Sequence, residues 1–194
     1  MNEAFIFDSI RSPRGKNKNG SLSQITPVDL LSKLMLALEK KYQLDTSLIN
    51  DVIIGCVMPV NDQGANIGKI AAQYSGWDVD IPSMQINRCC GSGLEAVNLA
   101  AMKIRSGWEN LIVSGGIECM SRVPIGADGG PMAFETKVAS RTNYVPQGIG
   151  ADLIATIEGF TRQDLDAYAL MSQQRASEAI KNKRFRSIVP IYDQ

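Results

Sequence analysis

Apolar and polar positions along the chain switch repeatedly between a strand pattern and a helix pattern. Ala4-Phe5-Ile6-Phe7 is a short continuous apolar run that predicts a strand, and it opens into the polar, basic, glycine-bearing stretch Ile10 to Ser23. Thr26-Pro27-Val28-Asp29 then starts a helix, with a capping hydroxyl, proline at the first helical position and an acid in the first turn. Leu31, Leu34, Met35, Leu38 and Tyr42 follow at helical spacing and predict one buried stripe. Residues 51–58, DVIIGCVM, form a near-continuous β-branched run, as expected of a strand covered on both faces. ANIGKIAAQYSG, residues 65–76, reads as a second helix closed by Gly76. PSMQI at 82–86 predicts a strand, GLEAVNLAAMKIRSG at 93–107 a third helix, and NLIVSGG at 110–116 a further strand.

The predicted order is therefore β-α-β-α-β-α-β, which argues for a mostly parallel sheet with helices on its faces, an α/β architecture. From residue 117 to residue 146 the alternation gives way to Gly, Pro, Ser and Asn, the composition of an extended excursion. Two helices are predicted after it. One covers roughly 148–158; the other starts at Thr161 with Asp164 in capping-box position and carries Leu165, Tyr168, Met171, Ala176 and Ile180. FRSIVPIY, residues 185–192, is a last strand candidate.

Composition narrows the function classes. The chain has 194 residues, 44% of them hydrophobic and 21% charged, enough for a real core. Twenty basic residues balance twenty acidic ones, so no global field draws the chain to nucleic acid or to an anionic membrane. No apolar run has bilayer-spanning length and no basic segment precedes an apolar one at the N-terminus, so a cytoplasmic protein is expected. The four cysteines show neither a disulfide framework nor a zinc spacing, and no metal is expected.

The chemistry concentrates at INRCCGSGLEAV, residues 86–97. Strand, tight turn and helix in direct succession place the turn where the first helical N–H groups are unpaired and the macrodipole is positive, which favours a thiolate. The same arrangement presents nucleophiles at the edge of α/β sheets, and Gly91 and Gly93 let backbone and substrate approach closely. Cys90 directly precedes the first glycine and is the candidate nucleophile, its own N–H a candidate oxyanion donor. Cys89 is expected to be a small packed side chain, and Cys56, inside an apolar strand, a structural one. Two other readings stay open here: Cys90 as an inert small hydrophobe, and a strained vicinal disulfide between Cys89 and Cys90. A nucleophilic cysteine ordinarily needs a proton acceptor, most often histidine, and the chain contains none.

Several motifs carry a family resemblance. INRCCGSGLEAVNLAAMKIRSG resembles the active-site segment of the thiolases, N-x-x-C-[SAG]-S-G-L, with Asn87, Cys90, Ser92, Gly93 and Leu94 in register. SIRSPRGKNKNGSL is similar to the family's R-[TS]-P-x-G-K-x-x-G loop, GGIECMSRVP to G-G-x-E-x-M-S-x-x-P, and TRQDLDAYALMSQQRASEAI to a helix reading [ST]-R-x-x-Q-D-x-[FY]-A-x-x-S.

The resemblance implies a layered α-β-α-β-α fold of two similar halves. This chain would correspond to the first, with a thiolase-like α/β core over 1–120 and part of an inserted loop domain over 121–194. It implies that Cys90 is the acyl-thioester nucleophile. The reaction implied is thiolytic cleavage of a 3-ketoacyl-CoA, or the reverse condensation of acetyl-CoA, with coenzyme A as substrate and no bound cofactor. A homodimer or tetramer is the implied assembly. The family's G-H-P, C-x-G and N-E-A-F motifs, which supply acid and base, are absent from this sequence, so the chain alone is expected to be inactive and to expose apolar surface. Where short-chain members carry M-G-x-T-A-E against the pantetheine arm, this chain has Gln147-Gly148-Ile149-Gly150-Ala151-Asp152, making Gln147 and Gly148 weak candidates for CoA contact. The Gly115-Gly116 and Glu118-Met120-Ser121 motif is expected to shape a strand-end turn. The alternative function is a non-catalytic module that dimerises or binds acyl-CoA.

Overall fold

The computed structural model describes residues 2–192, which form two compact units. One runs from the N-terminus to Asp128 and includes the residues from Ser187 onward; the other runs from Gly129 to Arg186.

In the first unit helix α1 covers Pro27–Tyr42, and the Thr26 hydroxyl caps it by accepting from Asp29 N–H at 3.2 Å. Its buried face is Leu30, Leu31, Ser32 and Met35. The expected stripe is thus displaced: Leu34 and Leu38 are half-buried and Tyr42 is exposed, because the helix packs chiefly through its first half.

Three strands build a parallel sheet, β1 (Asp51–Gly55), β2 (Ser83–Ile86) and β3 (Ile112–Gly116), in the order β2-β1-β3. Val52 sits opposite Ser83 on one side and Val113 on the other. Strand β1 is central and buried along its whole length, as its β-branched run predicts. Side-chain alternation then divides the core. Val52 and Ile54 pack with Leu31 and Met35 of α1 and with Ile67 and Ala71 of helix α2 (Ile67–Tyr74). Ile53 points to the other face, against Ala96 and Ala100 of helix α3 (Ser92–Ser106). Leu22 and Ile25 bring the basic loop back onto Leu30 and Cys119.

Two expected strands are corrected. Residues 4–7 form no strand: Phe5, Ile6 and Phe7 are 68%, 76% and 85% exposed, so the observed order is α-β-α-β-α-β. The segment is tethered at its ends instead, by Asn2 N–H on Arg105 O at 3.3 Å and by Asp8 on Lys41 at 2.7 Å. An apolar run becomes a strand only where a neighbour supplies ladder bonds, and none of the described strands does. Residues 185–192 contribute only an isolated bridge of Ile188 to Arg11, with Arg11 N–H on Ser187 O and Val189 N–H on Arg11 O, both 2.9 Å. The next bond of a parallel ladder falls to the N–H of residue 13, which is proline and has none.

The second unit is helical. The excursion expected to be irregular contains the short helices α4 (Pro131–Phe134) and α5 (Thr136–Thr142), followed by α6 (Gln147–Glu158) and α7 (Arg162–Lys181). Helix α7 begins with the anticipated capping box, Thr161 and Asp164 each bonding the other's backbone N–H. Its expected apolar face is not covered, however: Leu165, Tyr168 and Ile180 are exposed.

Candidate active site

The candidate turn follows β2. The strand's last carbonyl, that of Ile86, accepts from Cys56 N–H at 3.0 Å, and Gly91 N–H returns to Arg88 O at 3.0 Å. Cys89 and Cys90 are therefore the central residues of a closed four-residue turn. Cys89 has φ of 45°, a conformation that non-glycine residues rarely adopt. Its peptide groups are pinned on both sides. Asn87 Oδ1 accepts Cys89 N–H at 2.8 Å, while the Cys89 carbonyl accepts both Ser92 Oγ–H at 2.5 Å and Ser92 N–H at 3.0 Å. Ser92 Oγ also accepts Arg88 N–H at 2.9 Å, so this nearly buried hydroxyl locks the turn from beneath. Arg88 pairs with Glu95 at 3.1 Å.

Two strand-end glycines seat the helix that follows. A Cβ on Gly55, the last residue of β1, would collide with the Ser92 carbonyl and lie 2.6 Å from Gly93 N. One on Gly116, the last residue of β3, would lie 3.1 Å from Gly55 O and 3.3 Å from Gly93 Cα. Without side chains there, the first turn of α3 rests directly on the carboxyl ends of two strands, the edge at which open α/β sheets bind ligands. The Gly115-Gly116 pair is visible in the sequence as a turn motif; Gly55 was missed, although a glycine inside a β-branched run signals close backbone approach.

The four cysteines are free and fall into two classes. Cys56 and Cys119 are buried, and their thiols are pushed up from 9.0 to about 11, first by desolvation and then by the charge of Glu118. Cys89 and Cys90 are both exposed. The structural role expected of Cys56 holds. The packed role expected of Cys89 is corrected: its left-handed backbone turns it out of the core. Among the described residues no group of three His, Cys, Asp or Glu side chains is gathered as a metal site.

The sequence matches the family described as thiolase, N-terminal domain, over residues 4–194. The chain belongs to the thiolase family. It is 37% identical over 188 residues to a 3-ketoacyl-CoA thiolase of Shewanella loihica, and 36% identical over 188 residues to those of Shewanella baltica and Shewanella denitrificans. Each alignment covers 95% of this chain and 48% of the relative, so the chain spans about half the length of these proteins. The parallel sheet flanked by helices is that of a thiolase N-terminal domain.

Within this thiolase domain the other sequence-predicted positions fall in separate places. Gln147 is the first residue of α6 and Gly148 lies in that helix's first turn, with open space around it. Both belong to the second unit, Cys90 to the first. Glu118 shapes the end of β3 as expected, accepting Val57 N–H at 2.8 Å and Gln63 Nε2–H at 2.6 Å. Gln63, wholly buried, was missed; no local pattern marks it. Among the described residues no helix is long and apolar enough to cross a membrane.

Proposed function

We propose that this chain is the nucleophile-bearing half of a thiolase acyltransferase. The observation that carries the proposal is Cys90, an exposed thiol on a pinned turn at the head of α3, where the helix rests on the carboxyl ends of β1 and β3. In the degradative direction the Cys90 thiolate attacks the keto carbon of a 3-ketoacyl-CoA. The bond between the keto carbon and its α-carbon breaks, acetyl-CoA departs as an enolate that takes up a proton, and the thiol of free CoA then removes the acyl group. Condensation of two acetyl-CoA molecules is the reverse. The Cys90 N–H, at the positive end of α3, is positioned to share an oxyanion's charge.

This sequence has no histidine, and it aligns with only 48% of its Shewanella loihica relative. Proton transfer to and from the enolate is accordingly assigned to polypeptide outside this sequence. Residues 121–194 are part of an inserted loop domain in this reading, with Gln147 and Gly148 along the pantetheine arm. The substrate is coenzyme A in acyl form, without a resident metal or cofactor, and the assembly is a homo-oligomer. Four free thiols suit a reducing, cytoplasmic setting.

Incubation with acetyl-CoA followed by intact mass and peptide mapping tests this, with Cys90→Ala in parallel. The proposal expects an acetyl adduct of about 42 daltons, the mass of the transferred group, on Cys90 and none in the variant. An adduct persisting in Cys90→Ala refutes Cys90 as the acceptor, and none on the folded wild type refutes acyl-enzyme formation by this chain alone, leaving the thiol dependent on a proton acceptor that this sequence lacks or the chain a non-catalytic acyl-CoA-binding module.

A further inference from the structure

Behind the nucleophile turn lies a polar cluster for which acyl transfer itself has no use. Both ends of the buried Gln63 amide are engaged: Nε2 donates to Met58 O at 2.9 Å and to Glu118 Oε1 at 2.6 Å, and Oε1 accepts Cys119 N–H at 2.6 Å. The other Glu118 oxygen accepts Val57 N–H at 2.8 Å. Arg122, the cation on the same stretch of chain, pairs with Asp62 at 2.6 Å. The Glu118 carboxylate thus ties together the chain leaving β1, the buried Gln63 and the end of β3.

Val57 passes this constraint toward the thiol. Its carbonyl accepts Asn87 Nδ2–H at 3.0 Å, and the other end of the Asn87 amide accepts Cys89 N–H at 2.8 Å. Cys89 sits at φ of 45°, where a side-chain-bearing residue stays only if its surroundings hold it. We infer that Glu118 is a positioning residue for Cys90: acting through Val57 and Asn87, it holds Cys89 in the left-handed conformation that sets the Cys90 thiol at the head of α3. Its consequence for acyl transfer rests on the function proposed above; its geometry does not.

The residue types follow from donor and acceptor counting. Val57 N–H and Gln63 Nε2–H both point at residue 118, so it must accept twice, which a carboxylate does. A glutamine side chain at that position turns its own NH2 against one of the two donors. Exchanging the pair, Glu118→Gln with Gln63→Glu, repairs this. The new amide accepts from Val57 N–H and donates to the new carboxylate across from it, which still accepts Cys119 N–H, while Met58 O and Cys56 Sγ lose the bonds that the Gln63 amide donates to them.

The test is alkylation of the native 194-residue chain with iodoacetamide at neutral pH, reading the ratio of Cys90 to Cys89 labelling by peptide fragmentation. Glu118→Gln is expected to lower that ratio by about tenfold, inside the limit of about a hundredfold that a misplacement of about 1 Å can cost. The Glu118→Gln/Gln63→Glu exchange is expected to restore it. Ala72→Gly, which weakens α2 without touching the cluster, is expected to leave it unchanged, separating positioning from loss of stability. Should Glu118→Gln fail to fold, Asn87→Ala breaks the last link at an exposed position and must lower the ratio similarly, with faster hydrogen exchange at Cys89 N–H. A wild-type ratio in Asn87→Ala or in folded Glu118→Gln overturns the inference, as does an equal fall in Ala72→Gly. Acetyl-CoA run on the same proteins separates the two proposals. A ratio that responds to Glu118 in a chain that takes no acetyl group refutes only the function; full acetylation of Cys90 in Glu118→Gln refutes only the positioning.

Discussion

Replacing Gly55 by alanine tests whether the candidate turn depends on direct backbone contact between strand and helix. The added methyl would collide with the Ser92 carbonyl and lie 2.6 Å from Gly93 N. Neither neighbour is a side chain that can rotate away. Gly55 is held in register with Ile86 and Gly116 on its two sides, and Ser92 and Gly93 open a helix whose next turns pack on Ile53. The strain must therefore move α3 off the sheet or bend β1, and overpacking of this kind costs about 1–3 kcal/mol. For a chain of this size that is a fall in Tm of about 2–12 °C. The contrast lies in two neighbouring glycines. A methyl on Gly93 would approach nothing closer than Gly116 Cα at 3.9 Å, and one on Gly115 meets nothing within 4 Å. Both alanine variants are expected to match wild type or exceed it by up to about 1 kcal/mol, since glycine costs chain entropy in helix and strand alike. Urea denaturation followed by far-UV circular dichroism ranks the four proteins. If Gly55→Ala unfolds at the wild-type midpoint with an unchanged slope, or if Gly93→Ala loses as much as Gly55→Ala, close approach at Gly55 and Gly116 is not what holds α3 to the sheet.

Two further outcomes follow from buried charge and buried thiols. Asp51 is 4% exposed, its Oδ2 lies 2.5 Å from Lys103 Nζ, and its Oδ1 has no partner among the described residues. Lys103→Met is therefore expected to cost about 3–5 kcal/mol by leaving a buried carboxylate unpaired, and Asp51→Asn added to it should recover part of that loss in chemical denaturation. The Cys56 and Cys119 thiols titrate at about 11 in the folded chain against 9.0 otherwise. The folded state thus holds these protons more tightly, and the stability they contribute is full below pH 9 and lost as pH rises through 11. Discounted for solvent screening, that contribution is of order 1–2 kcal/mol for each thiol. Stability curves on wild type and Cys56→Ala check this; a wild-type curve flat between those pH values refutes it.

Local chemistry was legible in the sequence wherever a residue acts on its immediate neighbours. Thr26 and the Thr161–Asp164 box start helices where their side chains say they should, and the β-branched run at 51–55 became the central strand. What failed was inference about partners. The apolar run at 4–7 records that burial is wanted, not which strand supplies it, and the periodicity of α7 records which residues share a face, not what covers them. The Pro13 that ends the bridge near Ile188 was visible, but its effect appears only once Arg11 is seen opposite Ile188.

The candidate site divides in the same way. Gly91-Ser92-Gly93 before a helical run announces a turn, yet what fixes that turn comes from Gly55, Val57, Gln63 and Glu118, dozens of residues away in the chain. Sequence could not separate Cys89 from Cys90 by exposure, and the structure does not either, since both are exposed. The backbone separates them. Cys89 has its N–H held by Asn87 and its carbonyl by Ser92, in a conformation that only such bonds sustain. In the positioning inferred above it serves as the fixed point of the turn, and Cys90, the next residue, is the proposed nucleophile at the head of α3. A resemblance that requires serine at position 92 then acquires a physical reason. Ser92 is 3% exposed and its hydroxyl is spent on Arg88 N–H and Cys89 O, so it keeps the turn closed while the thiol two residues earlier stays exposed.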